Sequence, residues 1–162
     1  MAATPMASTS RYFRPGTTVI YWVETISDKS APTRIELDAG TDLSGEVAEI
    51  EGFEVVSETL ETPDFGSRFA SKIPGMITAD DSALLTYADQ TSADIRALLS
   101  RDDNGFIVIM DEGDVETQLM DVFPVRVSAV PKLRARSDPS QIRVQFTITS
   151  EPAENVEIPA AV

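Results

Sequence analysis

Apolar and polar residues alternate without a fault near the end of the chain. Ile142, Val144, Phe146 and Ile148 fall on one face, and Arg143, Gln145, Thr147 and Thr149 on the other. That period of two predicts a strand with one face on a core and one in water. Residues 106–110 are apolar at every position and predict a strand covered on both sides. Residues 119–130 predict a long strand, bent near Pro124, which lacks a ladder donor. Earlier, Pro15 and Gly16 form the centre of a type II turn, and residues 17–23, β-branched and aromatic, predict the first strand. Residues 32–38 alternate apolar with charged positions and predict a half-exposed strand turning at Ala39-Gly40. One helix is predicted, with Thr91 or Ser92 as its cap, Asp94 in its first turn, and Ile95, Leu98 and Leu99 on its apolar face. The sum is a mainly β chain, a β-sandwich or partly open barrel with one flanking α-helix. Residues 1–10 read as a flexible arm, 11–150 as the domain, and 151–162 as an extended tail that needs a partner for order.

Strands are also predicted at 53–60 and 82–87, and the connection between them is the unusual stretch. It has no helical period, and a structureless connection that long inside a compact domain is uncommon. It carries Phe65, Phe69, Ile73, Met76 and Ile77, which disordered segments lack. A loop with that much apolar surface either packs on its own domain or is covered by another molecule. The reading favoured here is a second copy of the chain, with residues 60–81 as the inter-subunit loop. Pro63, Asp64, Phe65, Arg68, Phe69, Lys72, Ile73 and Met76 are its candidate contact residues.

Charge sharpens that picture. The 162-residue chain has a formal net charge of −14, which opposes binding to nucleic acid and to anionic membranes. Assembly of such a chain depends on apolar contact and backbone pairing. Between Asp42 and Asp64 every charged residue is acidic. Arg68 and Lys72 therefore stand out, and opposite charges between copies are suited to fixing register. Glu54 and Glu58 share a strand face and, with Gln145 and Thr147, are candidates for lining a shared channel.

Composition narrows the chemistry. The chain has no Cys and no His, so thiol nucleophiles, thiolate metal sites and the commonest general base are excluded. A glycoside hydrolase or sugar-binding module would have to use carboxylates such as Asp111, Glu112 and Asp114, and these sit in a predicted turn. The twelve-residue calcium-loop pattern is absent. No catalytic, metal or cofactor site is expected.

Several segments resemble the major tail tube proteins of long-tailed phages, most of all the non-contractile tails of actinobacterial phages. They include Arg11-Tyr12-Phe13-Arg14-Pro15-Gly16-Thr17, Thr62-Pro63-Asp64-Phe65-Gly66-Ser67-Arg68-Phe69, Ile73-Pro74-Gly75 and Ala79-Asp80-Asp81-Ser82. Gly105-Phe106-Ile107-Val108-Ile109-Met110-Asp111, Met120-Asp121-Val122-Phe123-Pro124-Val125-Arg126-Val127 and Glu151-Pro152-Ala153-Glu154-Asn155-Val156 continue the likeness from about Arg11 to Pro159. The resemblance implies a structural virion protein, assembled in the host bacterial cytoplasm. Six copies would form a ring, and the rings would stack into a tube. The loop at 60–81 would reach the neighbouring ring. The tube would meet a tape measure protein, a tail terminator and tail tip proteins, and the genome would pass through its lumen unbound. The inner tube of a contractile tail or injection system is the alternative within the same class.

Overall fold

The computed structural model describes residues 2–161. Its strands are β1 (Val19–Val23), β2 (Thr41–Asp42), β3 (Val47–Glu51), β4 (Val55–Thr62), β5 (Ser71–Ala79), β6 (Ser82–Tyr87), β7 (Asn104–Met110), β8 (Leu119–Ala129), β9 (Lys132–Leu133), β10 (Gln141–Ile148) and β11 (Ala153–Glu157). Two short helices, α1 (Arg34–Asp38) and α2 (Ile95–Leu98), flank them. All strand pairs are antiparallel, in the order β2-β1-β7-β8-β10-β6-β3, with β9 beside β10 and β11 beside β8. The sheet does not close into a barrel. β4 and β5 pair only with each other and form a separate two-stranded ribbon.

Alternation along each strand builds the two cores. Ile20 and Trp22 of β1, Ile107 and Ile109 of β7, Phe123, Val125 and Val127 of β8, and Ile142, Val144 and Phe146 of β10 meet on one side of the sheet. On the reverse side, Val23, Val108, Met110, Met120 and Val122 meet Leu37 of α1 and Val156 and Ile158 near the C-terminus. That second cluster is why β7 and the first half of β8 are apolar on both faces. β10 has no such cover, so Arg143, Gln145 and Thr147 stay half-buried or exposed.

Three expectations are corrected. Residues 34–38 form helix α1, not a strand. Thr33 caps it: the Glu36 amide donates to Thr33 Oγ1 at 3.3 Å, and the Thr33 amide donates to Glu36 Oε2 at 2.8 Å. This reciprocal capping box outweighs a five-residue alternation, and it leaves Ile35 in water while burying Leu37. The C-terminal segment is the second correction, because it finds order on its own chain. β11 pairs with the first part of β8, and Ile158 exchanges backbone hydrogen bonds with Thr117 and Gln118. The helix α2 is the third. Its cap is Asp94, which accepts from the Arg96 amide at 3.1 Å, and Leu98 is exposed while Ile95 and Leu99 are buried.

The Glu36 carboxylate also accepts from the Ser27 amide at 2.8 Å. The Thr33 and Ser27 amides, Thr33 first, hold its pKa down to about 2 from 4.5. A pKa lower in the folded state stabilises the fold fully above pH 4.5 and less as the pH falls towards 2. The Glu36→Gln variant is therefore expected to be less stable than the parent at neutral pH. The gap in thermal midpoint should shrink through that acid window, and two parallel curves would count against the assignment.

Candidate functional site

The expected loop is a hairpin arm. Its register runs from Val55 opposite Ala79 to Thr62 opposite Ser71, so only residues 63–70 remain as the tip. Glu58 alone faces the two residues Gly75 and Met76, a β-bulge. Here Gly75 approaches the Glu58 carbonyl so closely that a Cβ would lie 3.1 Å from its oxygen. Pro74 is tolerated because a two-stranded ribbon has a free edge on each side.

The root of the arm is built with more care than its tip. Gly52 and Phe53 both take left-handed backbone angles, φ +74° and +57°. That geometry is costly for Phe and persists only where the surroundings enforce it. Here the Phe53 ring packs on Phe123 and Phe146, with centroids 5.2 and 6.1 Å apart. The Phe53 amide donates to Ser82 Oγ at 2.8 Å, and the same hydroxyl donates to the Asp80 carbonyl at 3.1 Å. One buried side chain thus ties the entering and leaving strands together.

Beyond that root the arm buries little. Phe65 is fully exposed, and Phe69, Met76, Ile77, Leu60 and Ile73 are exposed along the ribbon. Leu60 and Ile73 face each other across it. Pro63 and Asp64 open the tip, and Asp64 Oδ1 accepts from the Gly66 amide at 2.7 Å. Lys72 pairs with Glu61 at 3.2 Å, both exposed. Arg68 has no carboxylate within ion-pair distance among the described residues.

The four channel candidates come from two parts of the fold. Glu58 lies on the arm and Glu54 at its root, whereas Gln145 and Thr147 project from the open face of β10. On that open face β6 lies between β10 and β3, and Arg143 pairs with Glu51. Arg126 of β8 pairs with Asp102 at 2.9 Å. The face is mixed in charge.

Near the arm root lies an open cavity of about 650 Å³ between the 14–18 turn, β1, β3 and the end of β7. Ile20, Val47, Ile50, Phe53, Ile109 and Phe123 give it an apolar floor; Glu49, Glu54, Asp111 and Asp121 stand around it. No sequence pattern marks it, because its lining comes from four separate stretches of the chain.

Two of the three carboxylates of the 111–114 turn are held in ion pairs. Asp111 is paired with Arg14. Asp114 receives both Arg34 nitrogens, at 2.6 and 2.7 Å, and the Tyr21 hydroxyl at 2.9 Å. Arg34 foremost, then the Tyr21 hydroxyl, hold Asp114 below the usual carboxylate range, while burial and that carboxylate push Tyr21 up to about 12. A glycosidase acid needs the opposite shift. No metal-binding group of acidic side chains occurs among the described residues, and no helix there is long and apolar enough to cross a membrane.

A family model described as phage tail tube protein matches residues 6–161. No curated protein matches the chain. Among solved structures, the sheath/tube terminator of an extracellular contractile injection system is similar at TM-score 0.62 and 10% identity, covering 90% of this chain and 97% of that one. The tube-terminating cap of the anti-feeding prophage is similar at TM-score 0.56 and 15% identity, covering 99% and 100%. A chain of the anti-feeding prophage baseplate follows at 0.53 and 12%, covering 92% and 95%. At these identities the likeness is one of fold.

Proposed function

This chain belongs to the phage tail tube protein family, and from that premise we propose that its copies form hexameric rings that stack into the tube of a long, non-contractile tail. It is a structural tail protein. The single observation that carries the ring-and-stack reading is the hairpin arm, with its apolar side chains in water and its root fastened to the core. A monomeric protein gains nothing from such an arm, whereas an assembly buries it. The open face of the β3-β6-β10-β8 region is the second surface that copies need to cover or share.

In this reading the tube encloses a tape measure protein, ends at terminator and tip proteins, and later passes the genome. Its net charge of −14 disfavours tight binding of DNA phosphates, which suits passage without capture. The same charge slows assembly at low salt and is screened at higher ionic strength. Purified protein is expected to show six-fold rings and stacked tubes by electron microscopy, more of them as salt rises. A strictly monomeric species at every concentration and salt would overturn the proposal. A sheath around the particle would instead assign the chain to a contractile machine.

A further inference from the structure

We propose, resting on the assembly reading above, that Phe65 at the arm tip of one copy seats in the acid-rimmed cavity at the arm root of the next. The two surfaces complement each other. The cavity has an apolar floor that includes Ile20, Ile109 and Phe123 and is roomy enough for an aromatic ring. Glu49 and Glu54 stand on its rim, both exposed. The tip brings the opposite set: a fully exposed Phe65 and, three residues on, the cation of Arg68, which has no ion-pair partner among the described residues. Arg14, the cation lining the cavity, is already held by Asp111.

A copy cannot fill its own cavity. Glu54 lines it, and β4 then carries the chain away for eight residues, roughly 26 Å at the usual rise. The ladder to β5 keeps that ribbon extended. Tip and cavity are different patches, so each copy offers one of each, and the contact propagates head to tail instead of closing a pair. The buried ring supplies the affinity, and the Arg68 charge sets the register.

The chain has no cysteine, which allows a direct test. In the full chain, Ser67→Cys beside the retained Phe65 is combined with Ala48→Cys on the cavity wall. The control combines Ser67→Cys with Ile35→Cys on the exposed side of α1. Disulfides form only between backbones that come within about 7 Å. Under mild oxidation the first pair is expected to give a ladder of covalent multimers that the control lacks. Adding Phe65→Ser should abolish it. Tubes on the grid without a ladder would overturn this inference and leave the assembly reading intact. Neither tubes nor ladder would overturn both, and an equal ladder in the control would show that the tip has no defined seat.

Discussion

A chain in which residues 58–76 give way to an Asn-Gly turn is expected to fold like its parent and to form no tubes. The cut keeps Val55, Val56 and Ser57 opposite Ala79, Thr78 and Ile77, and a two-residue turn suits that pairing. It also keeps the Ser82 tie and the whole large sheet. What it removes is exposed: Leu60, Phe65, Phe69, Ile73 and Met76. Side chains this exposed contribute little to the fold, and the retained sheet keeps the buried contacts. Near-ultraviolet circular dichroism and the thermal midpoint should therefore stay close to the parent's, while micrographs lose every tube. Failure to fold would place the arm in the subunit's own core, and tubes of ordinary length would remove it from assembly.

Phe146→Ala should have the opposite signature. Phe146 is fully buried, and its ring stands 6.3 Å from Trp22 and 6.1 Å from Phe53. Truncating a core aromatic costs about 3–5 kcal/mol, a large part of the roughly 5–15 kcal/mol that holds a typical domain. Urea unfolding is expected to shift by that amount. Because Phe53 keeps its left-handed backbone only while its ring is held, the variant should also lose assembly at temperatures where it is still folded. Unchanged tube yield under those conditions would separate the root of the arm from the core.

The strands that carry the cores were legible because burial leaves a period. β10 shows one covered face, and β7 shows two. The alternation at 34–38 misled because a capping box at Thr33 and Glu36 decided the matter locally, with only Leu37 reaching the core. β5 was hidden by Pro74 and Gly75, which break a strand in a large sheet but suit a ribbon with a bulge. The ordered C-terminal strand escaped notice because two anchors, Val156 and Ile158, are too few to set a period. At the candidate site the exposed apolar and cationic residues could be named from the chain alone. The tie at Ser82 could not, since it joins positions 29 residues apart. Nor could the cavity, whose lining is assembled only by folding.

The position of Ser82 has a mechanical consequence. It begins β6, a strand bonded along both edges, to β10 on one side and β3 on the other. Tension on the tip of the ribbon reaches the body by two covalent paths, through Phe53 into β3 and through Asp81 into β6, and Ser82 ties these two paired strands where they begin to carry it along their axis. Antiparallel hydrogen bonds stand perpendicular to that axis, so the load shears two rows together and does not unzip one bond at a time. In the tube proposed above, the contacts between copies are then expected to yield before the subunit does.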